Sequence, residues 1–210
     1  MDELIDVRDE SGGRTGEVVW KSEAHRRGLW HRCFHCWIFG LDAGTGEPYL
    51  LVQRRAATKD TWPGYLDVTA AGHLAAGEES LDGLREVEEE LGLRVDPGRL
   101  VPLGTRRVEQ RIPGGLDREF HDVFLLSDST DPADLRLQRE EVESVLGIGL
   151  DDAEALGNTG TASVREYRGG KVSETLVRPP DFVPNTDDYL RRVAVAARAA
   201  LDGGRAEKIF

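Results

Sequence analysis

Residues 72–93, GHLAAGEESLDGLREVEEELGL, decide the fold and most of the chemistry expected of this chain. Four glutamates, Glu86, Glu88, Glu89 and Glu90, fall within five residues, directly after a glycine-punctuated loop. The segment reads as a helix with Ser80 as its N-cap and Gly92 as the residue that ends it. With Glu86 at zero and about 100° per residue, Glu89 falls at about −60° and Glu90 at about +40°, so these three carboxylates share one arc. Leu84, Val87 and Leu91 form a separate apolar stripe. Glu88 points away from the other three, and no chemical role is expected of it. Carboxylates held that close raise one another's pKa unless something positive lies among them. A hard divalent cation meets that need, because Mg²⁺ favours carboxylate oxygens, keeps several waters and bridges to substrate phosphates. An isolated acidic run is ordinarily a solvated helix face; the residues around this one set it apart.

A glycine, five residues, a glutamate, and later Arg-Glu-apolar-x-Glu-Glu-x-Gly-apolar are carried by Gly72, Glu78, Arg85, Glu86, Val87, Glu89, Glu90, Gly92 and Leu93. This pattern resembles the signature of the Nudix hydrolases. One spacing departs from it: six residues, Glu79 to Leu84, separate Glu78 from Arg85, one fewer than in the family. The shortening falls in the loop or first helical turn, so it bears on Glu78 and leaves the relative placement of Glu86, Glu89 and Glu90 untouched. The resemblance implies Mg²⁺ or Mn²⁺ bound by Glu86, Glu89, Glu90 and the Gly72 carbonyl. Arg85 would hold the glutamate side chains by charge-assisted hydrogen bonds, and Glu89, Glu90 and Arg85 would form the catalytic set. It implies hydrolysis of a small diphosphate, such as a nucleoside diphosphate derivative, with metal neutralising phosphate oxygens and lowering the pKa of an attacking water.

From about Trp30 to Leu150 the chain is also similar to a narrower branch, which contains the isopentenyl-diphosphate isomerases and an isomerase-like domain of plant Nudix proteins. LWHRCFHCWIF (29–39), QRRAATKDTWPGYLDV (53–68), AAGHLAAGE (70–78) and DREFHDVFLL (117–126) carry this likeness. In the isomerases a second metal site uses histidines and acidic residues. His25, His31, His73, Asp117 and Glu119 stand where those ligands align, with the His25 to His31 spacing one residue shorter. Arg55 and Lys59 align with basic residues that hold the substrate diphosphate. The isomerases carry a reactive cysteine just before the Gly-His pair, and Ala71 stands there instead. Cys33 and Cys36 lie elsewhere in the sequence, so hydrolysis is expected over isomerisation. A binding module without turnover is a third reading; the intact Arg85, Glu86, Glu89 and Glu90 speak against it.

At 210 residues the chain suits one domain with extensions. A formal net charge of −12 argues against nonspecific binding to nucleic acid polymers or anionic membranes, so metal and local arginines must draw in a small anionic substrate. Cys33 and Cys36 sit in HRCFHCWIFG, an alternating aromatic run that reads as a strand. On a strand they point to opposite faces, as ordinary reduced cysteines. The N-terminus MDELIDVRDESGG is acidic without an apolar run, and no stretch approaches the ~18 apolar residues of a membrane span. A cytoplasmic protein is expected.

Residues 2–8 and 14–20 read as a hairpin around Ser11-Gly12-Gly13. Strands are expected at 32–39, 48–54, 67–71, 99–110, 119–126 and 142–148, a short helix at 151–156, and a second hairpin over 163–177. A last helix, about 186–201, is capped by Asn185 or Thr186 with Asp187 and Asp188 in its first turn. Its stripe of Tyr189, Val193, Ala196, Ala197, Ala200 and Leu201 is expected to pack on the core, with a homodimer contact as the alternative. The order makes an α/β fold, the α/β/α sandwich around a mixed sheet that the resemblance implies. It comprises an N-terminal extension (1–28), a Nudix domain (29–157) and a C-terminal hairpin and helix (158–210). His35 and His121, in alternating strands, read as structural. Arg54 and Arg55 end a strand near the loop expected to face substrate, Arg55 being the better phosphate candidate and surface charge the alternative. Trp62 reads as a turn aromatic rather than a surface on which a base or ring stacks. Glu140 or Glu141 is the candidate general base.

Overall fold

The computed structural model describes residues 2–185, 187–204 and 208–210. A hairpin of β1 (Leu4–Arg8) and β2 (Arg14–Trp20) leads into helix α1 (Lys21–Arg27) and then into β3 (Trp30–Leu41), the axis of the sheet. Along one edge β3 runs parallel to β8 (Gly115–Ser127), from Trp30 opposite Arg118 to Phe39 opposite Ser127. Its other edge is shared. Cys33 to Cys36 pair antiparallel with β6 (Ala70–His73), and Ile38 to Leu41 with β4 (Pro48–Arg55). Short β5 (Leu66–Asp67) pairs with β4, and β7 (Val101–Ile112) forms a long hairpin with β8. Beyond β4 the sheet continues through β9 (Val142–Gly149), β10 (Ala162–Arg168) and β11 (Lys171–Val177).

The period-two alternation of β3 separates two cores. Phe34, Cys36 and Ile38 face α2 (Arg85–Leu91), whose Val87 and Leu91 are fully buried against them. Burying each of those two side chains contributes about 1.5–3 kcal/mol. Trp37 and Phe39 face the opposite side, where α3 (Leu150–Thr159) and α4 (Tyr189–Leu201) pack through Leu150, Ala153, Leu156, Val193 and Ala197. The result is the expected α/β/α sandwich around a mixed sheet. The stripe on α4 turns inward, with Tyr189, Val193, Ala196 and Ala197 buried. No helix among the described residues is long and apolar enough to cross a membrane.

Three local expectations are corrected. Helix α1 was not anticipated; its last turn is basic (His25, Arg26, Arg27) and it ends on Gly28 at φ 63°, both ordinary stop signals. The helix expected from Ser80 begins instead as a 3₁₀ turn over Ser80–Leu84 and becomes α-helical only at Arg85. Glu79 holds the cap position, its N–H donating to Asp82 Oδ2 at 2.8 Å, while Ser80 Oγ accepts from Arg32 at 2.5 Å. The tighter 3₁₀ turn rises further per residue, which absorbs the residue missing between Glu78 and Arg85. Gly83 allows that turn to lie on β3, since a Cβ there would meet Phe34 Cβ at 2.3 Å. Finally, α4 starts at Tyr189 with Asp188 at the N-cap, so the two aspartates do not lie in its first turn. Thr186 is outside the described residues; Asn185 Oδ1 accepts from Tyr189 N at 3.3 Å.

Candidate active site

The loop and α2 converge on Arg85. Its Nε donates to Glu78 Oε1 at 3.0 Å, one Nη to Glu86 Oε1 at 2.5 Å and Glu89 Oε2 at 3.4 Å, and the other Nη to the His73 carbonyl at 3.0 Å. Despite the shortened spacing, Glu78 therefore reaches the arginine, and its Oε2 also accepts from Ala75 N at 2.7 Å. Glu86 lies against the backbone of Gly72, where a Cβ would fall 2.0 Å from Oε1. Glu90 is 2% exposed and its Oε2 accepts from Ala71 N and Gln53 Nε2, both at 3.2 Å. The division of the β3 edge between β6 and β4 is what brings both donors within its reach. Glu88 points out and pairs with Arg94 at 2.6 Å. Burial, aided for Glu90 by the charge of Glu86, pushes Glu90 up to about 8 and Glu86 up to about 7.

Gly72, Arg85, Glu86, Glu89 and Glu90 line a cavity of about 940 Å³. Arg55 and Lys59 line it too, and both are engaged. Arg55 donates to Asp67 Oδ2 at 2.9 Å and to the Thr61 carbonyl at 3.0 and 3.1 Å, and Lys59 pairs with Glu141. Glu140 and Glu141 are both on the wall. Arg54 turns away to Glu166 at 3.0 Å. Trp62 lines the cavity with its backbone at φ 51°, an uncommon conformation for a bulky residue.

In the same cavity α1, β3, β6 and β8 assemble a second cluster. One donor atom each from His25, His31, His73 and Glu119 lies within 4.8 Å of the others. Glu119 Oε1 is 3.5 Å from His31 Nε2 and 3.3 Å from His73 Nε2. Asp117 Oδ1 is 3.5 Å from His25 Nε2 and 3.6 Å from His31 Nε2. The Nε2 atoms of all three histidines and Asp117 Oδ1 are buried without a hydrogen-bond partner. His31 Nδ1 meets the Leu29 carbonyl at 3.0 Å, which turns the Nε2 lone pair inward. Three imidazoles and two carboxylates converging in a buried site, with four of their polar atoms left without a hydrogen-bond partner, fit a cation. Burial pushes His73 down to about 3 and lowers His25. For His31 the same burial is outweighed by Glu119 and Asp117, which raise it. Burial and the neighbouring charge of Glu119 push Asp117 up to about 8. Burial also opposes ionisation of Glu119, but His121, His31 and His73 outweigh it and hold that carboxyl well below its usual range.

All five residues expected at this second cluster are thus brought together, and three others join the cavity. Cys33 and Cys36 are free and face opposite ways, as expected, but Cys33 is not remote. Its Sγ donates to Glu119 Oε1 at 2.8 Å. His35 and His121, read as structural from sequence, also line the cavity, their rings stacked at 3.8 Å. The signal was present in the alternation: His31, Cys33 and His35 share one face of β3, and Asp117, Glu119 and His121 one face of β8.

The NUDIX domain family matches residues 29–166. The chain belongs to the Nudix family. An uncharacterised Nudix hydrolase of Clostridium acetobutylicum is 34% identical over 209 residues, covering 96% of this chain and 98% of that protein. A Cutibacterium acnes isopentenyl-diphosphate Delta-isomerase is 32% identical over 186 residues, covering 86% of this chain and 89% of that one. In fold, the crystal structure of DR0079 from Deinococcus radiodurans superposes with a TM-score of 0.57 at 18% identity, covering 80% of this chain and 93% of that one.

Proposed function

We propose that this Nudix protein hydrolyses the diphosphate linkage of a nucleoside diphosphate derivative or a similar small diphosphate, with Mg²⁺ or Mn²⁺ as cofactor. One observation carries the reading: Arg85, held by Glu78, gathers Glu86 and Glu89 on the wall of a large cavity that Arg55 and Lys59 also line. Glu86, Glu89, Glu90 and the Gly72 carbonyl are assigned to the ion. A bound divalent ion supplies charge neutralisation for phosphate oxygens and a more acidic water. Arg85 keeps Glu86 and Glu89 oriented and their mutual repulsion low. Arg55 and Lys59 are assigned to the substrate diphosphate; Arg55 is held in place by Thr61 and Asp67, and a fixed guanidinium suits phosphate oxygens. Glu141, tied to Lys59, is the better placed of the two candidate bases. His25, His31, His73, Asp117 and Glu119 are assigned to a second ion. The free cysteines and acidic surface suit a reducing cytoplasm.

Purified protein with Mg²⁺, offered a panel of small diphosphates, is expected to release phosphate or nucleotide from at least one of them. Glu90→Gln is expected to lower that rate at least ~100-fold. A rate unchanged by the substitution would remove the loop-helix from the chemistry.

A second reading has one observation in its favour. Ala71 removes the thiol of the isomerases, yet Cys33 returns one to the same sheet face beside Glu119. Incubation with isopentenyl diphosphate and Mg²⁺ distinguishes the two: hydrolysis predicts no allylic isomer, and its appearance, lost in Cys33→Ala, would establish isomerisation.

A further inference from the structure

Glu119 is used from both sides. Its Oε1 faces Cys33 Sγ, His31 Nε2 and His73 Nε2 at 2.8, 3.5 and 3.3 Å. Its Oε2 meets His121 Nε2 at 2.7 Å. His121 is directly opposite Arg106 in the β7–β8 ladder, and its Nδ1 lies 3.3 Å from an Arg106 Nη. The Arg106 guanidinium in turn donates twice to Asp187, at 2.6 and 2.7 Å, and lies over the Tyr189 ring, 4.3 Å from its centroid. His121 and Arg106 are 5% and 8% exposed, so water does not compete freely for these contacts. An unbroken line of polar contacts therefore runs from the segment before α4 to the carboxylate at the centre of the imidazole cluster.

The chemistry of that line has a direction. A guanidinium has five N–H donors and no acceptor. The nitrogen it approaches, His121 Nδ1, must be the acceptor, which leaves the ring proton on Nε2, aimed at Glu119 Oε2. With Oε2 so engaged, the carboxylate is turned to present Oε1 to His31 and His73. Partners behind a ligating carboxylate fix its orientation in the same way that partners behind a ligating imidazole do.

We propose that Arg106, anchored by Asp187, fixes the Nε2–H tautomer of His121 and thereby orients Glu119, making the segment before α4 a positioning part of the imidazole–carboxylate centre. The proposal rests on the assignment of that centre to a divalent ion. If Arg106 and Asp187 merely fastened the segment to the sheet, their loss would lower stability and leave both the tautomer and the ion affinity unchanged.

Two measurements on the full-length chain test it. In metal-free protein with ¹⁵N-labelled histidine, long-range ¹H–¹⁵N correlations, assigned by the signals lost in His121→Gln, are expected to show His121 protonated on Nε2 and bare on Nδ1. Arg106→Met is expected to allow the other tautomer. Mn²⁺ binding is then followed by electron paramagnetic resonance in a parent carrying Glu86→Gln, Glu89→Gln and Glu90→Gln, which isolates the imidazole–carboxylate centre. Adding Arg106→Met is expected to weaken binding ~10–100-fold and Asp187→Asn to weaken it in the same direction, with Arg106→Lys recovering most of the loss. Should Arg106→Met fail to fold, Asp187→Asn carries the comparison alone. An Nδ1–H tautomer in the wild type, or affinity unchanged in a folded Arg106→Met or Asp187→Asn protein, overturns the proposal. Absence of Mn²⁺ binding in the parent itself overturns the assignment of the centre, and the proposal with it, a result distinct from unchanged affinity.

Discussion

The two carboxylate-bearing regions that line the cavity, and meet at His73, are built in opposite ways. The loop and α2 form one contiguous segment, residues 72–91, in which Arg85 sits among the acids it balances. The imidazole–carboxylate centre draws single residues from α1, β3, β6 and β8, and three of its imidazole nitrogens are buried without partners. A contiguous segment can be designed around local spacing, so its parts hold one another. A dispersed centre is held by the sheet, and its members depend on register and on residues behind them.

The comparison breaks first, and by most, at Gly72. Its φ is not positive, so alanine brings no backbone strain; the added Cβ meets the Glu86 side chain at 2.0–2.7 Å and must displace it. Gly72→Ala is expected to reduce kcat/KM on any substrate found by the panel by ~100-fold or more, with His25 and His31 undisturbed in histidine NMR spectra. Full activity in that variant would mean that Glu86 need not lie against the loop.

Protonation sharpens the contrast at one residue of each region, because Glu90 and His73 respond to pH with opposite sign in the absence of metal. Glu90, raised from an ordinary 4.5 to about 8, binds its proton more tightly folded than unfolded. Its contribution is complete below about pH 4.5 and is lost as pH rises through about 8. His73, lowered from 6.5 to about 3, does the reverse: its contribution is complete above about pH 6.5 and is lost as pH falls towards 3. Each operates at about 1.4 kcal/mol per pH unit at most, so these two oppose one another between about pH 4.5 and 6.5; above that the Glu90 loss continues, in the same direction as those of the raised Glu86 and Asp117. Urea midpoints in EDTA are expected to fall from pH 6.5 to 8 in the wild type by an amount worth on the order of 2 kcal/mol. Glu90→Gln should shrink that fall, and His73→Gln should make stability decline already between about pH 4.5 and 6.5. A wild-type curve that rises from pH 6.5 to 8, in the absence of metal, would contradict the burial of Glu90.

The same contrast explains what could be read in advance. The period of a helix alone places Glu86, Glu89 and Glu90 together and Val87 and Leu91 in the core, because all of that information lies within a few turns. The order of strands and the sandwich followed from period-two runs and turn residues. The 3₁₀ start at Ser80 did not, since its cause is a close approach of Gly83 to Phe34 on another element. The places of Cys33 and His121 beside Glu119 could not be read from sequence for a related reason. Their distance from Gly72 in sequence says nothing about register, and it is register that sets Cys33 opposite His73 and β8 alongside β3. Asp187, expected as a helix-dipole partner, pairs instead with a buried guanidinium, a contact 81 residues away in sequence.

The smallest expected effect marks the edge of the acidic site. Glu88 shares the run of glutamates and differs only in angle, about 200° around the helix from Glu86. In the fold it points to solvent and pairs with Arg94, a residue whose side chain is 87% exposed. An exposed pair of this kind contributes ~0–1 kcal/mol, diminished further by salt. Glu88→Gln should therefore leave kcat/KM within about twofold and move the urea midpoint by less than ~0.5 kcal/mol, even though it removes the same charge as Glu90→Gln from two residues away. If its activity instead fell in step with that of Glu90→Gln, net acidity would be what the cavity needs. Orientation would then not be the property that separates three of these glutamates from the fourth.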